Sequence, residues 1–185
     1  MPDPDEADGQ RRRIAFHEAG HAVAAIGWGV PVWQVTIGPP RAGLSYSLRF
    51  ETRDDTRLER LAAMALAGAA AEQLFCGSSR SGRRDDEVAR RYLAEAASPA
   101  GVEAEVASLR AWAAWLVRTP WGRKRNRLVA EALLVHGTLD REAVKAICGS
   151  RRVHPSELIV EPDPRPGGER HDAAKSVRAG DHVAT

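Results

Sequence analysis

The stretch His17-Glu18-Ala19-Gly20-His21 constrains this chain more than any other. Residues four apart in a helix lie on one face, about one turn from each other. Two imidazoles so placed can bind a single metal ion with tetrahedral geometry. The pattern H-E-x-x-H arises by chance in on the order of one chain of this length in a hundred or fewer. Two surface histidines with a neighbouring glutamate are the bland alternative. It is weakened by the setting, because Phe16, Gly20, Val23 and Gly27 recur at helical spacing and face a core. Histidine and glutamate half-buried in an apolar helix need partners. Glu18, beside the first histidine, is placed to serve a water rather than the metal. Zinc lowers the pKa of bound water toward neutrality, and a carboxylate can take its proton and later return it to a leaving amine.

The rest of the chain supports a fold around that helix. The first helix is predicted over residues 11–27, with Gly27, Gly29 and Pro31 ending it. Trp33-Gln34-Val35-Thr36-Ile37 and Leu44-Ser45-Tyr46-Ser47-Leu48-Arg49-Phe50 alternate apolar and polar residues, the mark of half-buried strands. Gly38 to Gly43 has turn chemistry throughout. A second helix is predicted over 57–75, with Leu58, Leu61, Ala65, Gly68 and Glu72 on one face. Its small residues between Ala67 and Ala71 admit a close neighbour, and Gly77 caps its end. A third helix is predicted from about Asp85. Ser98-Pro99 and Thr119-Pro120 are start signals for a fourth, carrying Val102, Val106, Leu109, Ala113 and Leu116, and a fifth, carrying Leu128, Ala132 and Val135. Thr138 caps a short sixth that Gly149 stops. The expected class is α+β, mainly helical, with the first helix packed on a small β-sheet and a helical bundle after it. Three parts are expected: a disordered Asp- and Pro-rich stretch at 1–10, one folded domain over 11–149, and a disordered tail over 150–185.

Composition excludes several classes. The 185 residues carry a formal net charge of only +2, which does not argue for nucleic acid. The basic stretch at 118–127 reads as the solvated face of a helix; a nucleic-acid or protein-binding module built on it is the weaker reading. Cys76 and Cys148 lack C-x-x-C spacing and suggest a reduced, cytoplasmic protein. The longest apolar run, 61–71, is far short of the roughly 20 residues that span a bilayer. Arg11-Arg12-Arg13 hints at an export signal, but His17, Glu18 and His21 interrupt its apolar core.

A catalytic metal site needs a third protein ligand and an open position. His136, His154, His171 and His182 are the other histidines, the last three in or near the expected tail. The carboxylates Glu72, Asp85, Asp86 and Glu87 are the remaining candidates. Helix capping and dipole compensation would account for Asp85 and Asp86 without any metal.

From about residue 14 to 147 the chain resembles the peptidase domain of the FtsH ATP-dependent zinc protease family. The likeness is carried by His17 to Val23, by Val35 to Pro39 with Leu44 to Leu48, by Leu66 to Glu72 with Gly77, by Ser81 to Asp86 with Val88-Ala89, and by Leu133-Leu134 with Thr138-Leu139-Asp140. The resemblance implies a metalloendopeptidase with zinc held by His17, His21 and an aspartate, and Glu18 as catalytic base. Counting from Gly82 favours Asp86 as that aspartate. Counting back from the apolar positions Val88, Ala89 and Tyr92 favours Asp85, and a loop tolerates a deletion better than a packed face. Asp85 is the assignment, with Asp86 second. Glu72 is placed to orient a metal-binding histidine, or is an ordinary helix-end glutamate. The implied partner is a polypeptide substrate, taken up along an exposed edge at 44–50, unless that is an ordinary edge strand. The sequence contains no G-x-x-x-x-G-K-S/T phosphate loop and has Ser45 where the family usually has Gly. The implied unit therefore acts alone, as a homo-oligomer, or with a separate ATPase partner. The alternative is a catalytically silent domain that uses the same metal to hold its fold or bind a partner.

Overall fold

The computed structural model describes residues 4–38, 42–46, 55–95 and 98–149. Along the chain these form α1 (Pro4–Gly27), β1 (Val32–Thr36), β2 (Gly43–Tyr46), α2 (Asp55–Cys76), α3 (Gly82–Leu93), α4 (Pro99–Arg118), α5 (Pro120–His136), β3 (Thr138–Asp140) and α6 (Arg141–Cys148). The protein is mainly helical with one small antiparallel sheet, of strand order β2-β1-β3. The tail expected at 150–185 and the strand residues 47–50 lie outside the described residues.

Helix α1 is the central element, packed on α2, α5 and β1. From Ala15 to Ala25 nearly every residue is buried, so this helix has no solvated face there. It begins at Pro4, so residues 4–10 are helical rather than disordered. Proline at the first helical position and acidic residues just after it are the composition a helix start favours. The same Asp- and Pro-rich composition had suggested disorder. Gly29, at φ 71°, turns the chain out of α1, with Val30 N–H donating to the Ala25 carbonyl at 2.8 Å.

Valine 35, fully buried, pairs with Leu44 on β2 and with Leu139 on β3. The third strand was not anticipated: three residues are too few for a period-two signal, and it is recognisable only by its pairing with β1. Thr138 therefore belongs to β3, and Asp140 caps α6, its carboxylate accepting from the Ala143 N–H at 2.9 Å. Helices α4 and α5 start where the Ser-Pro and Thr-Pro signals put them. Ser98 Oγ accepts from Gly101 N–H at 3.3 Å, and Thr119 Oγ1 from Gly122 N–H at 3.0 Å.

The buried face of α4 is the expected one, with Val102, Val106, Leu109, Ala113 and Leu116 inside. That of α5 is not. Leu128 and Val135 are exposed, and the inward stripe is Gly122, Asn126, Val129, Ala130 and Leu133. Asn126 disguised the stripe; its amide nitrogen donates to the Gly122 carbonyl at 2.8 Å, while its Oδ1 is buried without a partner. Helix α3 starts three residues earlier than expected, which places Asp85 inside the first turn rather than at the cap. The basic residues Arg123, Lys124 and Arg127 are solvated, as expected of an outer helix face. Both cysteines are free. No helix among the described residues is long and apolar enough to cross a membrane.

Candidate metal centre

The close crossing of α1 and α2 builds the site. A methyl group on Gly20 would strike the Ala67 carbonyl oxygen, so the two helices meet backbone to backbone. This brings the His17–His21 face of α1 against Met64, Gly68 and Glu72 of α2. Helix α3 then delivers Asp85 from the other side.

His17, His21 and Asp85 each offer a ligand atom, and these atoms all lie within 4.8 Å of one another. His21 Nε2 is 2.9 Å from His17 Nε2, and Asp85 Oδ2 is 3.7 Å from the latter. Ligands held ~2.0–2.1 Å from a tetrahedral zinc stand a little over 3 Å apart, between these two separations.

The second nitrogen of each ring has its own neighbour. His21 Nδ1–H donates to the Met64 carbonyl at 2.8 Å, which leaves the Nε2 lone pair aimed at His17. His17 Nδ1 faces Glu72 Oε2 at 3.6 Å, and a carboxylate there favours the proton on Nδ1. Both lone pairs then point into the same space, an arrangement that only a shared cation or proton relieves. Glu72 is buried and held by Ser79 Oγ–H at 3.1 Å, by Arg80 N–H at 3.0 Å and by the Arg13 guanidinium at 3.7 Å. Arg13 is itself anchored on Ser78 Oγ and its carbonyl.

Two buried oxygens at the ligand cluster have no hydrogen-bond partner, Glu18 Oε2 and Asp85 Oδ2; His17 Nδ1 has none either, but it faces Glu72 at 3.6 Å, away from that cluster. Such orphans are rare in folded proteins and call for an explanation. A divalent cation suits the donor set of two imidazoles and one carboxylate, leaving a coordination position free on the cleft side. The residues fit a zinc ion.

Burial sets the proton equilibria. It lowers His21 to about 3, with the neighbouring His17 adding to the effect, and lowers His17 to about 4. It raises Asp85 to about 7, and raises Glu18 to about 7 with help from the Asp85 charge. Both imidazoles are thus neutral and ligand-ready at physiological pH, and Glu18 titrates near neutrality.

A cleft of about 700 Å³ opens over these groups. Its lining includes His17, Glu18, His21, Glu72 and Asp85, with Gly43 of β2 along one side. The other candidate carboxylates lie elsewhere. Asp86 Oδ1 accepts from Arg110 Nη2 at 2.8 Å on the α4 side, and Glu87 is a surface residue near Arg83. His136 is exposed at the end of α5, and the remaining histidines lie outside the described residues. Sequence reasoning missed the Met64 carbonyl, which as a backbone group leaves no residue signal. It also missed the Arg13–Ser78–Ser79–Arg80 support of Glu72, in which Arg13 and Ser78 are 65 positions apart.

No family model matches the chain. It is similar to ATP-dependent zinc metalloproteases. FtsH of Slackia heliotrinireducens is 34% identical over 83 residues, which are 41% of this chain and 11% of that protein. FtsH 1 of Symbiobacterium thermophilum is 36% identical over 115 residues, 56% of this chain and 19% of that protein. A mitochondrial inner membrane m-AAA protease component of Mus musculus is 36% identical over 86 residues, 42% of this chain and 10% of that protein. The matched stretch thus covers less than a fifth of each of these relatives.

Proposed function

We propose that this chain is a zinc-dependent metalloendopeptidase, with His17, His21 and Asp85 as metal ligands and Glu18 as general base. The observation that carries the reading is the meeting of three ligand atoms within 4.8 Å beside a buried, unpartnered glutamate oxygen. The similarity to FtsH-type zinc metalloproteases supports it independently.

Zinc held there supplies a Lewis acid that polarises the scissile carbonyl and makes water acidic enough to give up a proton near neutral pH. The chain does the rest. Glu18 Oε2 accepts the proton of the attacking water and hands it to the leaving amine, a task suited to a group that titrates at about 7. The hydrogen bond to the Met64 carbonyl holds His21 in the ligating tautomer, and the Glu72 charge, 3.6 Å from His17 Nδ1, favours the same tautomer there. Strand β2 is an edge strand of the sheet among the described residues, and its Gly43 lines the cleft. An extended polypeptide added to its free edge would lie across the metal site by backbone pairing alone.

The test is metal analysis and casein hydrolysis on wild type and Glu18→Gln in parallel. Both should hold close to one zinc per chain, and only the wild type should cut. Hydrolysis that survives in purified Glu18→Gln contradicts the assigned base. Zinc without hydrolysis in either protein points to the silent metal-binding domain instead.

A further inference from the structure

Three arginines, Arg13, Arg80 and Arg84, line the cleft over the metal centre. Arg13 is committed: its guanidinium is anchored on Ser78 and faces Glu72 at 3.7 Å. The side chains of Arg80 and Arg84 form no ion pair among the described residues, and the acids near them are engaged elsewhere. Glu72 accepts from Ser79 and from the Arg80 backbone N–H. Asp86 pairs with Arg110, and Glu87 with Arg83. Asp85 directs its Oδ2 at His17 Nε2. The fold does not account for the two arginines either. Both are exposed, so packing does not require them. Arg84 sits in the first turn of α3, where the helix dipole favours anions and opposes cations. Ser81, the N-cap residue between them, makes no side-chain capping bond and also lines the cleft, which leaves its hydroxyl available to donate.

We infer that Arg80 and Arg84 form a carboxylate-binding subsite that selects substrates with an acidic group close to the bond cut, either an Asp or Glu side chain or the substrate's C-terminal carboxylate. The inference rests on the hydrolase reading for its substrate and on the two unmatched guanidinium groups for its chemistry. Charge decides the ligand. With a divalent cation in the site, Asp85 and Glu18 offset its charge and Arg13 offsets Glu72, so Arg80 and Arg84 are the charges left over in the cleft. A guanidinium presents its donors in a rigid fork that matches a carboxylate. Position decides the role. Arg84 adjoins Asp85 in the chain and its charge is felt there, so a group that it holds belongs to a residue near the metal. An exposed ion pair corresponds to at most about fivefold in affinity, and two arginines on one carboxylate to roughly 25-fold at most.

Two readouts test it on the zinc-loaded chain. The first is binding of succinic acid monohydroxamate and of its amide, metal-chelating probes that differ only in a carboxylate against a carboxamide. At low salt the acid should bind about fivefold more tightly or better, and the gap should close at high salt. Arg80→Gln and Arg84→Gln should each narrow the gap, and the double variant should abolish it, with zinc content and affinity for the amide unchanged. Arg83→Gln, which removes a neighbouring charge outside the cleft lining, should leave the gap intact. The second readout is hydrolysis of three matched peptides: one with an interior Glu and an amidated C-terminus, one with Gln in its place, and the Gln peptide with a free C-terminal carboxylate. Faster cutting of the first than the second identifies an acidic side chain as the ligand, and faster cutting of the third identifies the terminus. Equal affinity for the acid and the amide in the wild type, or equal cutting of all three peptides, overturns the subsite. A gap that survives in the double variant overturns it too. An acid preference without any cutting leaves the subsite standing and removes the hydrolase reading. Failure of both probes to bind, with no peptide cut, removes both.

Discussion

Gly68→Ala isolates the geometric claim on which the metal centre depends. Gly68 sits on α2 facing both imidazoles. A Cβ there would lie 2.5 Å from His21 Nε2 and 2.9 Å from His17 Cε1, and nearer still to His21 Cε1. Comfortable contacts between such atoms are ~3.5–4.0 Å, so the rings must retreat by about 1 Å. Metal–ligand distances tolerate about 0.2 Å. His21 cannot retreat freely, because its Nδ1–H is tied to the Met64 carbonyl. Even a lost supporting partner typically lowers metal affinity 10- to 100-fold, and displacing the ligands themselves should exceed that. Zinc affinity should therefore fall at least 100-fold, equivalent to about 2.7 kcal/mol. Helix propensity argues the other way, since alanine in a helix interior is better than glycine by about 1 kcal/mol.

The assay is zinc competition against a chromogenic chelator, with urea unfolding in the presence and absence of zinc. Metal-free Gly68→Ala should stay folded, its propensity gain offsetting part of the strain, while the stabilisation conferred by zinc shrinks with the lost affinity. Gly82→Ala is the control. A Cβ at that position meets Ser79 Oγ at 3.5 Å and Ala69 Cβ at 3.6 Å, ordinary contacts, so zinc binding should be unchanged. Wild-type zinc affinity in Gly68→Ala would falsify the placement of the rings.

Other perturbations separate the neighbouring groups. Asp85→Asn should lower zinc affinity at least tenfold, whereas Asp86→Asn should lose only its partly exposed pair with Arg110, at most about 1 kcal/mol of stability in urea unfolding, with zinc affinity intact. Glu72→Gln removes the charge facing His17 Nδ1 and should weaken zinc 10- to 100-fold by chelator competition, with little change in α-helical circular dichroism. In the Glu18→Gln background, log zinc affinity should fall with a slope of one per pH unit as pH drops from 6.5 to 5. Asp85, raised to about 7, must shed a proton to bind, while the histidines, lowered to about 4 and 3, are already neutral. A slope of two would show that the imidazoles protonate first. For metal-free folding, the depressed histidines contribute stability that is lost as pH falls below about 6.5. Asp85 and Glu18 act oppositely, their contribution being lost as pH rises through about 7.

The sequence revealed those parts of the site that are local to one helix. His17, Glu18 and His21 are a one-turn pattern, and a one-turn pattern survives translation into coordinates because helix geometry is fixed. Asp85 was chosen over Asp86 by treating Val88, Ala89 and Tyr92 as a packed face. Ala89 is indeed fully buried and Tyr92 packs against the core, which turns Asp86 toward Arg110. The errors fell where a residue's type and its position disagree. Asn126 is polar and inside, Leu128 and Val135 are apolar and outside, and β3 is a strand only because β1 supplies the hydrogen bonds. Pattern reading assigns a face from side-chain character, so one buried polar residue is enough to rotate a predicted helix.

Glycine 68 shows the same limit from the other side. Along α2 it reads as one of several small residues that admit a neighbouring helix, and for Ala67 and Ala71, which face Gly20 of α1, that description is complete: a methyl on Gly20 would meet the Ala67 backbone and the Ala71 Cβ. At Gly68 the visitor is instead a pair of imidazoles. On the proposed function, the missing methyl is therefore a requirement of the metal centre and only incidentally one of the helix crossing. Composition cannot distinguish these two demands, since both ask for a small side chain at the same heptad-like spacing. They part under substitution: a crossing glycine that is enlarged should destabilise the metal-free fold, whereas Gly68 should spare the fold and lose the zinc. Gly20→Ala and Gly68→Ala, compared in urea without metal and then by zinc titration, should give those opposite signatures, and a matching loss of metal-free stability in both would place Gly68 back among the packing residues.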